Sequence, residues 1–186
     1  MIKPILKENK VVFGPCRLSY THLFEKWSME GSTDEGKYCT NVLIPKDEKE
    51  TIKAIEEAIA EAKKSAIVNK WKGVDPKKLM LPLSDGDEKD TSDDTYSNHY
   101  YINAKCNTKP GVVDKNKMPI TDEEEIYSGV WAICSVTFYG YDFGGKKGIA
   151  CGLNNVMKFK DDERLGGRIS ADSDFEDVSF DEDDDL

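Results

Sequence analysis

Tyr100 and Tyr101 stand shortly before Lys105, Lys37 adjoins Tyr38, and the rings Trp131, Tyr139, Tyr141 and Phe143 are followed directly by Lys146 and Lys147. Rings and lysines in one neighbourhood can do two kinds of chemistry together. A π-face stacks on another flat group, and an ammonium neutralises a phosphate. A single-stranded nucleic acid offers both partners, because its bases are unpaired and its phosphates run in a line. Each stacked base contributes roughly 1–3 kcal/mol. Lys158 and Arg168 add further cations. Any one of these rings could equally belong to a core. The group says more than its members. Within 130–143, Val130, Ala132, Cys134, Val136 and Phe138 alternate onto one compact face suited to a barrel interior. The other face carries Trp131, Ile133, Ser135, Thr137, Tyr139, Tyr141 and Phe143, and it must meet either another element or a ligand.

Catalytic constellations are weak by comparison. His22 and His99 lie far apart, and neither has a cysteine or carboxylate at metal-ligand spacing. Asp85-x-Asp87 begins like a calcium loop, but Lys89 and the missing glycine at the sixth position break the pattern. No phosphate-cradling glycine loop and no nucleophile elbow occurs. Asp47-Glu48-Lys49 and Asp87-Glu88-Lys89 each look like half of a metal-dependent nuclease site. A two-metal reaction needs several converging carboxylates, and none is identifiable. The chain therefore reads as a binding protein, not an enzyme, with no cofactor and no metal.

The elements that must position these residues alternate between strand and loop. Val11 to Leu23 is expected as a strand bent at Gly14-Pro15. Lys37 to Ile44 is expected as a second strand, stopped by Pro45. Asp47 and Glu50 form a capping-box pattern ahead of a helix that runs to about Lys70, with Ile52, Ile55, Ile59, Ala62 and Ala66 as its apolar stripe. Residues 82–97 and 110–125 are polar and acidic and are expected as exposed loops. Asn98 to Lys105 is a third strand. Val130 to Phe143 and Gly148 to Phe159 form a hairpin around Gly144-Gly145-Lys146. Five strands and one helix predict a small mixed barrel.

Charge is distributed unevenly. The 186 residues carry a formal net charge of -10, yet nine of the 36 acids lie within 171–186, a stretch without Lys or Arg. Residues 1–170 keep 27 acids against 26 Lys and Arg residues and are nearly neutral. A segment this charged has too little apolar surface to fold, so 171–186 is expected to be disordered. Tethered to a basic groove, it could compete with a polyanion from within the molecule. Phe175 and Phe180, with Asp183, Asp184 and Asp185, could also engage a basic, apolar pocket on another protein. The plain alternative is a solubilising tail. Five cysteines without a C-x-x-C fit reduced thiols in a cytoplasm. No signal peptide and no membrane-length apolar run is present.

From Gly152 to Arg168 the chain reads GLNNVMKFKDDERLGGR. This resembles a family of phage-encoded single-stranded DNA-binding proteins, whose pattern is a GLN-x-V strand, a short charged turn and L-G-G. Further matches are Pro82-Leu83-x-Asp85-Gly86-Asp87, Tyr127-Ser128-Gly129 and Gly144 to Gly148, in order along most of the chain. The resemblance implies an OB-fold with an acidic C-terminal tail. It also implies sequence-independent binding of single-stranded DNA in replication, recombination or repair, with the tail recruiting replication or recombination proteins. The tail departs from the pattern, ending Asp183-Asp184-Asp185-Leu186 where many such tails end in an aromatic.

The expected molecule is thus mainly β: an OB-fold-like five-stranded barrel with one amphipathic helix over 1–170, and a disordered acidic tail over 171–186. The expected location is the cytoplasm of a bacterial host, away from membranes. Small barrels of this kind often dimerise, and homodimerisation stays open. The rival reading is an acidic DNA mimic or protein-interaction module that does not itself bind DNA.

Overall fold

Alternating β-branched and aromatic residues form strands wherever the period-two pattern is long. In the computed structural model, which describes residues 1–90 and 94–166, these are β1 (Ile5–Lys7), β2 (Lys10–Trp27), β3 (Lys37–Pro45), β4 (Leu83–Asp85), β5 (His99–Cys106), β6 (Gly111–Val113), β7 (Trp131–Phe143) and β8 (Lys146–Lys160), with one helix, α1 (Lys49–Asn69). Five of the strands close on themselves. The order β5-β3-β2-β7-β8 is completed by a parallel pairing of β5 with β8, at Ala104 opposite Cys151 and Lys105 opposite Gly152. Counted in chain order, the ring runs 1-2-3-5-4-1, the OB-fold barrel. β1, β4 and β6 are three-residue additions to β2, β5 and β8. Runs that short carry too little alternation to be seen in a sequence.

The barrel interior is the compact face of β7, with Val130, Ala132, Cys134, Val136 and Phe138 fully buried alongside Val11, Phe13, Leu18, Val42 and Ile102. Burial pushes the Cys134 thiol up to about 12 and also raises those of Cys16 and Cys151, so these three are packing groups. The expected bend at Gly14-Pro15 is a register shift between Phe13 and Cys16 in the pairing with β7. Gly14 has φ 135°, and a Cβ there would press on the backbone of Ala132 and Ile133. The helix stripe is buried as expected, and the helix packs across β7 and β2.

Three expectations need correction. The capping box does not form. Glu48 is the N-cap residue without a side-chain bond, because β3 runs on through Pro45 and the chain reverses in a tight turn. That turn is closed by backbone bonds from Glu48 N to the Pro45 carbonyl, 3.0 Å, and from Lys49 N to the Asp47 carbonyl, 2.8 Å. Residues 82–97 are not simply an exposed loop: β4 pairs with β5, and Gly86 and Tyr96 are buried. Lys46 bridges Asp85 at 2.5 Å and Asp87 at 2.6 Å, and Asp87 accepts from Asn98 N at 2.7 Å. The Tyr96 hydroxyl accepts from Asn41 Nδ2 at 2.8 Å and lies 3.1 Å from Ser19 Oγ, which ties the segment onto the outside of β3. Likewise 110–125 includes β6, paired in parallel with β8.

Candidate nucleic-acid interface

β7 outruns its neighbour. Its pairing with β2 ends at Thr137 opposite Lys10, and beyond Phe138 it continues with β8 alone. This two-stranded ribbon turns at Gly144 and Gly145, whose φ values of 58° and 82° are those of a type I′ hairpin turn. Its outer face carries Tyr139 and Tyr141 over small residues of β8. Tyr141 lies on Gly148, where any Cβ would collide with the phenol, and Tyr139 packs against Gly152. The end of α1 holds the ribbon. Lys70 Nζ donates to the Gly140 carbonyl at 3.0 Å, Trp71 Nε1 donates to the Tyr141 carbonyl at 3.1 Å, and Ala66 occupies the space above Gly140.

The ribbon forms one side of a groove of about 390 Å³. Tyr101, Asn103 and Lys105, alternate residues of β5, form its floor with Lys37 from β3, and Met80, Leu81 and Pro82 form a wall. Among the described residues, no acidic side chain lines it. Tyr101 is fixed edge-on to Tyr96, centroids 5.1 Å apart, and Lys89 Nζ stands 5.1 Å from its ring. Burial, with a smaller contribution from Cys151, raises the Tyr139 phenol above its ordinary range, so it stays neutral at physiological pH.

A second depression shares Lys37 and Lys105 with the first and ends on Trp27 and Met29, both exposed. Trp27 lies directly opposite Lys37 in the β2–β3 ladder, and the His22 ring backs it at 5.9 Å. Burial lowers the His22 pKa. Sequence reasoning missed Trp27 because it lies beyond Val11 to Leu23, the stretch that reads as strand; only the cross-strand register reveals it. Lys146 and Lys147 line a third depression, where they meet Lys77 and Lys78.

Of the residues expected to contact nucleic acid, Lys37, Tyr101, Lys105, Tyr139 and Tyr141 therefore share one groove, and Lys146 and Lys147 adjoin it. Phe143 is 82% exposed near the hairpin tip, outside the groove lining. Tyr38 and Tyr100 alternate away from Lys37 and Tyr101. Tyr100 packs on the core with Lys46 Nζ 5.1 Å from its ring. Trp131 and Lys158 lie at the opposite end of β7 and β8. Trp131 donates to Asp162 at 2.7 Å with Lys160 over its ring, and Lys158 is held by Glu125 at 2.5 Å and Asp161 at 2.9 Å. These two are committed to internal partners. Arg168, Phe175, Phe180, Asp183, Asp184 and Asp185 lie outside the described residues.

The motifs behind the family resemblance turn out to be closures of the fold. Tyr127-Ser128-Gly129 receives the charged turn: Leu165 N donates to the Ser128 carbonyl at 2.7 Å and Tyr127 Oη to Asp161 at 2.8 Å. Arg17 joins them by donating to the carbonyls of Gly129 at 3.2 Å and Glu163 at 2.7 Å. The Asp87 carboxylate considered for a nuclease is occupied by Lys46 and Asn98. Among the described residues, no three of His, Cys, Asp and Glu come together as a metal site, and no helix is long and apolar enough to cross a membrane.

The family described by the ssDNA-binding protein of Enterobacter phage Enc34 matches residues 9–186. Protein p50 of Acyrthosiphon pisum secondary endosymbiont phage 1 is 33% identical over 188 residues, covering 95% of this chain and 98% of that protein. Among solved structures, the single-stranded DNA-binding protein of bacteriophage Enc34 in complex with ssDNA superposes with a TM-score of 0.77 at 28% identity, covering 88% of this chain and 94% of that one. The gp2.5 single-stranded DNA-binding protein of bacteriophage T7 shares the fold, with a TM-score of 0.57 at 15% identity over 93% of this chain and 97% of that one.

Proposed function

The chain belongs to the family of the Enterobacter phage Enc34 ssDNA-binding protein, and on that premise we propose that it binds single-stranded DNA without sequence preference, as a binding protein and not a catalyst. The observation that carries this is the convergence of Lys37, Tyr101, Lys105, Tyr139 and Tyr141, from three strands, on a groove that no acid among the described residues lines. Bases stack on the tyrosines and lysines meet phosphates. The groove is indifferent to sequence because every base has a π-face. The setting is phage DNA replication, recombination or repair in the cytoplasm of the bacterial host, where single strands are exposed.

The acidic segment 171–186 acts on the barrel domain, 1–170, as a tethered competitor for the lysines and as a handle for replication or recombination proteins. Its length permits competition within one molecule. The groove residues Ala150 and Cys151 precede the end of β8 by about ten residues, roughly 33 Å of strand. The chain after Gly166 spans up to roughly 70 Å when extended.

Fluorescence anisotropy with a labelled oligonucleotide, single-stranded against duplex and at two salt concentrations, tests both parts. The full chain is compared with one ending at Ser170. The expected result is a preference for the single strand, weakened by salt and tightened by removing the tail. Absence of binding by both forms refutes the reading and turns attention to a protein partner.

A further inference from the structure

Residues 74–81 link α1 to β4 and lie outside the five strands of the barrel, yet they are stitched to the hairpin. Met80 N donates to the Lys147 carbonyl at 3.2 Å, and Ile149 N donates to the Met80 carbonyl at 2.8 Å. Asp75 is anchored to Lys63 of the helix at 2.9 Å. This places Lys77 and Lys78 beside Lys146 and Lys147 around a depression of about 460 Å³ that no acidic side chain among the described residues lines. Lys147 is paired with Asp142 at 3.0 Å. Lys77, Lys78 and Lys146 are exposed and have no ion-pair partner among the described residues. Lys46 and Lys158, by contrast, are each held by two carboxylates. Three unneutralised like charges in one concavity repel each other, an arrangement a polyanion relieves.

We propose that this depression is a separate subsite for the phosphodiester backbone of single-stranded DNA leaving the central groove. The inference rests on single-stranded DNA being the ligand of that groove. Met80 belongs to both depressions, so a strand stacked on Tyr139 and Tyr141 passes over it directly onto the four lysines. The subsite is non-stacking: its apolar floor is aliphatic, formed by Val74, Pro76, Leu79 and Met80. It therefore reads charge and not bases, and a strand that ends within the central groove does not reach it.

The experiment uses the full chain and its Lys77→Ser/Lys78→Ser variant, with oligothymidylates of about 4 and about 16 nucleotides, the range of OB-fold site sizes. On the short strand, affinity and salt dependence are expected to be equal for both proteins. On the long strand, losing two phosphate contacts is expected to lower the slope of log K against log salt by about 1.4. Between about 50 and about 200 mM salt, the variant then loses roughly sevenfold less affinity than the wild type. An unchanged urea midpoint verifies folding, and Lys146→Ser is expected to repeat the effect at half the slope change. Equal weakening on both lengths, or no change on either, overturns the subsite. If the double variant leaves the length dependence intact but abolishes the effect of removing 171–186, the lysines hold the acidic segment and the proposal is wrong. If the wild type binds neither length, the DNA-binding reading falls first and takes the subsite with it.

Discussion

Adding a methyl group at Gly140 should disturb both the stability of the fold and the rings that line the groove. A Cβ there would overlap Cβ of Ala66 and stand 3.2 Å from Cζ2 of Trp71. Gly140 is not in the left-handed region, so the cost is steric. Overpacking a filled core costs about 1–3 kcal/mol, offset by about 0.5–1 kcal/mol because alanine loses less backbone entropy than glycine on folding. Gly140→Ala is therefore expected to destabilise by about 1–2 kcal/mol. Ala66→Gly removes a buried methyl, about 0.8 kcal/mol, and introduces glycine into a helix, about 1 kcal/mol. In the double variant the overlap is gone and the methyl has only changed sides, so the helix glycine, about 1 kcal/mol, is offset by the alanine at 140, about 0.5–1 kcal/mol, and the loss should be no more than about 0.5 kcal/mol. The coupling between the two sites is then about 3 kcal/mol, well above the ~0.5 kcal/mol scatter of independent sites. Urea unfolding of the four proteins measures it. Affinity for a labelled single strand, compared where all four are fully folded, should fall for Gly140→Ala and recover in the double variant, because Tyr139 and Tyr141 flank the displaced residue. A neutral Gly140→Ala, or two losses that simply add, would refute the idea that the end of the helix positions these rings.

Three further outcomes are expected. Tyr139→Ala and Tyr141→Ala should each weaken single-strand binding by about 1–3 kcal/mol with an unchanged salt slope, whereas Lys37→Met and Lys105→Met should each lower the slope by about 0.7; anisotropy titrations at several salt concentrations separate the two. His22 has its pKa held below 6.5 by burial, so the unfolded chain binds the proton more readily; stability is complete above that pH and falls as pH drops below it. Trp27 fluorescence should report a transition centred below 6.5 that His22→Gln removes. Hydrogen bonds from Lys46 hold the Asp85 and Asp87 carboxylates below the usual range, so their stabilisation is present above about pH 4 and is lost as pH falls through the depressed values. Lys46→Met should accordingly lower the melting temperature at pH 7, and the gap to the wild type should close in strong acid.

Local periodicity explains most of what could be read without coordinates. The alternation of 130–143 set which residues of β7 fill the barrel, and Val130 to Phe138 are buried in that pattern. The three- and four-residue spacing from Ile52 to Ala66 set the buried face of the helix. The acidic loops were harder, because their order comes from long-range partners: Tyr96 is buried by Asn41 and Ser19, residues 55 and 77 positions away.

By itself the sequence determined the strand-rich barrel with one helix, the separation of acidic charge into 171–186, and a pool of rings and lysines suited to single-stranded nucleic acid. Each follows from composition or from a short repeat along the chain. The tertiary structure alone decided which members of that pool meet. Trp131 and Tyr139 share a face by alternation, yet about 27 Å of strand separates them, and in a coiled, tilted barrel the outer face turns as it goes. Trp131 therefore ends on Asp162, and Tyr139 ends in the groove. Trp27 joins Lys37 through cross-strand register, and Lys77 and Lys78 join the hairpin through two backbone bonds at Met80. No repeat along the chain encodes those meetings, because a binding surface gathered from separate strands exists only once the barrel has closed.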